Sequence, residues 1–237
     1  IDKIKNVKLN DSFYFEWNDN ENISFLKSIR GTNFLITQNI ISNKKKYKTL
    51  EKFDKIYGFS FNSNNSLIAL AGSINNQSDI YLLSANSDNM KKITDDSAHD
   101  VYPSFFRNST SILFSSNRYD QILNQESKLS ENFNIFLYNL DTTSYNLLKL
   151  TNNQNNNYKA RALSNNDFIF LSDKNGIYDL YYSKVGQLPF LFFKNSTNIS
   201  NFDYDDNSKR IIYSSLYEGN NLISEARDIN ITSEIIN

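Results

Sequence analysis

Ile56-Tyr57-Gly58-Phe59-Ser60-Phe61, Leu67-Ile68-Ala69-Leu70 and Asp79-Ile80-Tyr81-Leu82-Leu83 decide the fold of this chain. Each run is too short for a helix and rich in β-branched, aromatic or other apolar residues, and the first alternates as a strand should. Between the first two lies Asn62-Ser63-Asn64-Asn65, a turn built from residues that tolerate left-handed backbone. A further polar stretch over 86–89 leads into Lys91-Lys92-Ile93-Thr94. The reading is therefore four short strands joined by tight polar turns.

Outward from this unit the same order recurs. Downstream, strands are predicted over 101–106, 111–114, 134–138 and 147–151, then over 158–163, 168–171, 179–182 and 190–193. A later copy covers 199–204, 210–213 and 221–224, and a more diverged one upstream runs from Phe13 to Leu50. Corresponding strands lie roughly 43 to 45 residues apart, the period of a four-stranded propeller blade. A twisted four-stranded sheet covers one neighbour per face, so radial stacking is the arrangement that buries both faces. The fold class expected is all-β, a β-propeller of four-stranded antiparallel blades with five blades visible and six an option for a longer protein. The expected blades are 12–52, 53–96, 97–153, 154–198 and 199–237, together one propeller domain that could be part of a longer chain. The unit from 97 is longer by about a dozen residues, an excess read as a polar insertion over 119–131.

Composition agrees. Of 237 residues, 39% are hydrophobic, with 18 Phe and 15 Tyr, which is too much aromatic mass for a disordered chain. Six Gly and two Pro are few for so many turns, and Asn takes over that work, as at 152–157. A net charge of -1 and a pI near 5.9 give no global field toward nucleic acid or an anionic membrane. The basic run Lys44-Lys45-Lys46 with Lys48 reads as a solvated loop or a guarded edge strand. No cysteine means no disulfide and no thiolate chemistry. No apolar run reaches the length of a transmembrane helix. A start at Ile1 suggests a mature form or a piece of a larger protein.

Several tripeptides, in register and in order, carry a resemblance. Phe114-Ser115-Ser116-Asn117-Arg118 resembles the Ser-Asp/Asn-Arg element of the TolB-like propeller repeat, and Leu171-Ser172-Asp173-Lys174 is a near copy. Asp79-Ile80-Tyr81, Asn134-Ile135-Phe136 and Asp179-Leu180-Tyr181 resemble its Asp-Ile-Tyr element, while Ile93-Thr94 and Leu150-Thr151 resemble its closing Leu-Thr. No copy keeps the Pro-Asp-Gly turn of that repeat, and Trp17 is the only tryptophan. The resemblance covers 53 to about 230 well and the first fifty residues poorly. It implies extracytoplasmic, often envelope-associated, interaction roles.

Candidate chemistry is sparse. His99, the single histidine, precedes a first strand beside Asp100 and near an axial opening. One histidine supports neither a His-rich metal site nor a triad, and a loop-capping hydrogen bond is the simpler reading. Carboxylates around a central funnel could serve glycoside hydrolysis, and Asp11, Asp54, Asp100 and Asp203 are the acids at or near first strands. They occupy no consistent repeat position. The Asx residues 79, 134, 179 and 221 read as turn-stabilising groups bonded to their own backbone. Arg118 is expected to bridge blades through a carboxylate.

The expected function is a non-catalytic protein–protein interaction module, with no catalytic residue, cofactor or metal. Binding would fall on loops and an axial face, at His99, Asp100, Arg118, Tyr119 and Asp54. Partners would be other proteins rather than nucleic acid, with possible association with the envelope and no transmembrane segment in the chain. Two alternatives stay open, a gating propeller of a larger serine peptidase and a polysaccharide-acting enzyme with channel carboxylates. The end segments 1–9 and 229–237 are candidates to close the ring.

Overall fold

The computed structural model describes residues 14–106, 110–123, 128–141, 146–164 and 166–231. Nineteen strands and no helix occupy them. Blade 1 holds β1 (Phe15–Trp17), β2 (Asn22–Ile29), β3 (Thr32–Asn39) and β4 (Lys45–Thr49), and blade 2 holds β5 (Lys55–Phe61), β6 (Leu67–Ile74), β7 (Gln77–Ser84) and β8 (Met90–Lys92). Blade 3 comprises β9 (Asp100–Phe105), β10 (Ser111–Arg118), β11 (Leu129–Asn139) and β12 (Leu147–Lys149). Blade 4 comprises β13 (Asn157–Ala162), β14 (Asp167–Ser172), β15 (Asp179–Lys184) and β16 (Phe190–Phe193), and blade 5 shows β17 (Ile199–Asp205), β18 (Arg210–Tyr217) and β19 (Asn220–Ala226). Each sheet is an antiparallel meander in chain order, so the five blades form the propeller that the repeat predicts. The loops between blades and the turns between second and third strands consequently share one face.

Four apolar cores lie between successive blades. Leu26, Leu35 and Phe53 meet Ile68, Leu70 and Tyr81 between blades 1 and 2. Ala71 and Ile80 meet Ile112, Phe114 and Phe136 between blades 2 and 3. Leu113 and Ile135 meet Phe168, Phe170 and Tyr181 between blades 3 and 4, and Leu171, Leu180 and Tyr182 meet Phe202, Tyr204 and Ile211 between blades 4 and 5. Alternation explains the economy. In the third strands, Ile80 faces the following blade and Tyr81 the preceding one, so one strand serves two cores. Gly72 makes room at one such contact, because a Cβ there would lie 2.6 Å from the Phe53 ring.

Three expectations need correction. Asp79 and Asn134 do not stabilise their own turns. Each accepts a hydrogen bond from the hydroxyl of the closing threonine, Thr94 at 3.4 Å and Thr151 at 3.0 Å. Those hydroxyls in turn accept the Ile80 and Ile135 N–H groups at 2.9 and 2.8 Å. Asp179 accepts the Asn195 N–H instead. Asn221 does not join this set, because Leu222 rather than Asn221 lies opposite Ser215, where Asp179 lies opposite Ser172. The insertion is shorter than expected, since β11 begins at Leu129, paired with Arg118, and its residues 124–127 lie outside the described residues. It carries Tyr119, Ile122 and Leu123, the last packed on the blade 2–3 core. Phe13, Asp11 and the segments 1–9 and 232–237 lie outside the described residues. Of the C-terminal segment, Ile229 and Ile231 pack on the blade 4–5 core, and the Tyr204 hydroxyl donates to the Ile229 carbonyl at 3.0 Å.

Candidate functional site

The innermost strands converge on the axis, and each of those in blades 2 to 5 is broken by a β-bulge near its start. The register shifts between Ile56 and Gly58, between Val101 and Ser104, between Tyr158 and Arg161, and between Ile199 and Asn201. A bulge bends its strand and re-aims the extra side chain. Tyr102 and Lys159 accordingly take positive φ, 55° and 53°. Gly58 (φ 138°) lets blades 2 and 3 approach there, with Pro103 Cδ 3.4 Å from where its Cβ would be.

The result is a half-buried tyrosine floor. Tyr102 lies 6.3 Å from Tyr14 and 5.9 Å, edge-on, from Tyr158, measured between ring centroids. Tyr158 also meets Phe133 at 5.0 Å and Tyr178 at 6.0 Å. Burial pushes the Tyr14, Tyr102, Tyr158 and Tyr178 hydroxyls upward, so they stay neutral. Lys159 Nζ stands 5.1 Å over the Tyr102 ring and donates to the Ser200 carbonyl at 2.7 Å and Asn201 Oδ1 at 2.6 Å. Burial, then repulsion from Arg161, pulls its ammonium down to about 8.

Further along β1, Glu16 stitches blades 1 and 2. Its carboxylate accepts the Ser60 hydroxyl at 3.3 Å and the Phe61 N–H at 3.2 Å, while Ser60 Oγ accepts the Phe105 N–H of blade 3 at 3.3 Å. Burial pushes the Glu16 carboxyl up to about 7, with Arg161 pulling against it and Asp203 pushing with it.

Comparison with solved structures fits this geometry. TolB from Acinetobacter baumannii superposes with a TM-score of 0.69 at 15% identity, over 89% of this chain and 50% of that one. A TolB protein of Agrobacterium tumefaciens gives 0.68 at 13% identity, over 90% and 77%. The fold is that of a TolB-like β-propeller. Hydrazine synthase of Kuenenia stuttgartiensis is a more distant neighbour, with a TM-score of 0.61 at 11% identity, over 81% of this chain and 32% of that one. The TolB-like chain thus spans half the length of the Acinetobacter protein. No family model matches its sequence, and no curated protein matches it.

Four of the five residues singled out in the sequence fall in one neighbourhood of the TolB-like propeller. Arg118 is fully buried, bonded to Asp96 Oδ2 at 2.8 Å and Asp100 Oδ2 at 2.5 Å, with its guanidinium 5.6 Å from the Phe114 ring. Asp96 lies in the loop from blade 2, so the arginine does bridge blades, from beneath the surface. Burial pushes the Asp100 carboxyl up and Arg118 pulls it back. His99 sits above them, exposed, its N–H bonded to Asn117 Oδ1 at 2.7 Å, and the exposed Tyr119 follows. Asp54 stands apart on the loop into blade 2, its N–H bonded to the Ser73 carbonyl. Sealed as they are, Asp100 and Arg118 offer no free polar atom at the surface. Among the described residues no group of three or more His, Asp or Glu side chains is placed to hold a metal ion, and no helix is long and apolar enough to cross a membrane. The axial residues Glu16, Tyr102 and Lys159 were missed. The recurrence of tyrosine near the starts of inner strands, at 57, 102 and 158, was the available signal.

Proposed function

We propose that this TolB-like propeller is a protein-binding module working outside the cytoplasm in association with the cell envelope, and that partners dock on the face carrying the inter-blade loops. The observation behind this reading is the insertion of blade 3. Tyr119, Ile122, Leu129 and Leu148 are all exposed on it or on the strand it touches. Leu123 anchors the insertion in the core, and Gln121 Oε1 caps the edge of β12 by accepting the Lys149 N–H at 3.0 Å. Lys149 Nζ lies 5.4 Å over the Tyr119 ring and donates to its carbonyl. Aromatic and aliphatic side chains held out on a fixed support are what a docking surface needs. His99 and Asp54 border the same face, and the recurring propeller fold supports presentation of loops rather than any one chemistry.

The test is cross-linking capture of envelope proteins by the immobilised chain, compared with the double variant Tyr119→Ser, Ile122→Ser. Capture of a defined partner should fall about tenfold or more, the loss of one or two binding hot spots. Equal capture by the variant, with its unfolding transition unchanged, would overturn the assignment of this face.

A further inference from the structure

Blade 1 carries a polar row where the next three blades are largely apolar. Ser24, Thr37 and Lys46 lie side by side on its second, third and fourth strands. Counted from the two-residue hairpin that joins the second and third strands, the same row in blade 2 is Ala69, Leu82 and Lys91. In blade 3 it is Leu113, Leu137 and Leu148, and in blade 4 Ile169, Tyr182 and Phe190. One step along, Lys48 lies opposite Leu35, where Ile93 and Leu150 bond to Ile80 and Ile135. In blades 2 to 4 these rows help to fill the core shared with the following blade. In blade 1 the row leaves a cavity of about 180 Å³ against blade 2. It lies beside the turns that join first and second strands, at the end of the propeller opposite the inter-blade loops, so it does not depend on the docking reading.

The two walls of this cavity differ. Leu35, Phe61 and Ile68 make an apolar side. The other side is rich in donors. Lys46 and Lys48 stand two residues apart on one strand and so share a face. Lys46 Nζ gives one hydrogen bond, to Asn86 Oδ1 at 3.1 Å, and Lys48 Nζ gives one, to the Ser87 carbonyl at 2.7 Å. Each ammonium carries three donors. The Lys48 side chain is 15% exposed, yet its acidic neighbour, Asp88 at 4.0 Å, is fully solvated. Asn18 Oδ1 accepts the Ser24 hydroxyl at 2.6 Å, and among the described residues neither Asn18 Nδ2 nor Asn86 Nδ2 has an acceptor. Asp19 also lines the cavity, but its carboxylate is spent on its own turn, accepting the Glu21 and Asn22 N–H groups at 2.8 Å each.

Such a wall selects an acceptor. A hydroxyl-rich sugar must donate as well as accept, whereas a carboxylate only accepts. Two ammoniums and one carboxylate in the lining leave one positive charge, which a single carboxylate balances and a phosphate dianion exceeds. We propose that this cavity binds a small organic monocarboxylate, its head held by Lys46, Lys48 and the Asn18 amide and its apolar body laid on Leu35, Phe61 and Ile68.

The experiment titrates the whole chain with cyclohexanecarboxylate and with its uncharged amide. Binding is read by calorimetry and by the emission of Trp17, the single tryptophan, which precedes Asn18. The acid should bind with a Kd of about 1 mM or tighter, about tenfold tighter than the amide, and should shift the Trp17 emission. Lys48→Met should remove that margin while keeping the apolar stem of the side chain. Thr37→Leu gives blade 1 the leucine of blade 2. It should fill the cavity and stop binding with both lysines in place, and it decides the matter if the methionine variant unfolds. Equal binding of acid and amide, no saturable binding of either, or tighter binding of inorganic phosphate than of the acid overturns the proposal. Binding that leaves Trp17 unmoved and survives Thr37→Leu would place the acid elsewhere, and overturns it as well.

Discussion

Blades 4 and 5 carry the same strand pattern and bury it differently. In blade 4, Ser172 lies opposite Asp179 and the next residue, Leu180, is fully buried. In blade 5, Ser215 lies opposite Leu222 and the next residue, Ile223, is 80% exposed. The counterparts in blades 2 and 3, Ile80 and Ile135, are also fully buried. Blade 4 has a neighbour on each side, whereas the described residues cover blade 5 only from the blade 4 side. The outward face of blade 5 interleaves Ile212, Leu216 and Ile223 with Asp203, Ser214, Asn221 and Glu225. A repeat is therefore buried by its neighbours rather than by its own composition, as in any stacked array.

The largest effect that could break this contrast is electrostatic. Arg118→Met would leave Asp96 and Asp100 buried without their cation, and should cost about 3–5 kcal/mol in denaturant unfolding. Arg210→Met removes an exposed pair with Glu225 in blade 5, and should cost about 0.5 kcal/mol or less. Similar losses at both sites would mean that blade 5 is as enclosed as blade 3. Apolar truncation gives the next step. Ile135→Ala should cost about 2–5 kcal/mol through transfer and cavity terms, and Ile223→Ala roughly 0.5 kcal/mol or less.

This contrast also marks how far the sequence could be read. Blade architecture was legible because apolar runs and Asn-rich turns repeat in step, and the insertion was legible as the break in that step. The position of Asn221 was not. A one-residue slip in pairing reverses every side chain, and a tripeptide resemblance is blind to it. The Arg118 cluster was half legible, since the partners lie 18 and 22 residues away and only folding shows that two carboxylates converge on one guanidinium. The axial floor was hidden for another reason. A bulge flagged by glycine can be suspected from sequence, but Tyr102 and Lys159 carry theirs without one.

A smaller effect joins blade 1 to blade 5 across the axis. Glu16 is pushed up to about 7 in the folded chain, from an ordinary 4.5. The native state therefore holds this proton where the unfolded chain has released it, so the stabilisation is complete below about pH 4.5 and is lost as pH rises through about 7. Glu16→Gln should flatten that part of the stability–pH curve, by on the order of 3 kcal/mol between the two ends. Asp203→Asn, on the exposed side of blade 5, should shift the Glu16 titration downward by removing a like charge. An unchanged slope in Glu16→Gln would show that other carboxyls carry the pH dependence.

The smallest effect concerns the threonine clasps of blades 2 and 3, of which the described residues of blade 5 show none. Thr151→Val removes the hydroxyl that takes the Ile135 N–H and donates to Asn134, while keeping the volume of the side chain. The N–H keeps no partner from that residue, so the cost should be about 1 kcal/mol, and Thr94→Val should match it in blade 2. The loss should be local. Amide exchange should speed up in β8 or β12, each held by a three-residue pairing, and stay slow in β10 and β6. Uniform acceleration across a blade would mean that the clasp fixes the whole sheet rather than its last strand. In that case the leucine at 222, where blades 2 to 4 have Asp or Asn, would account for the exposure of β19 better than the lack of a second neighbour among the described residues does.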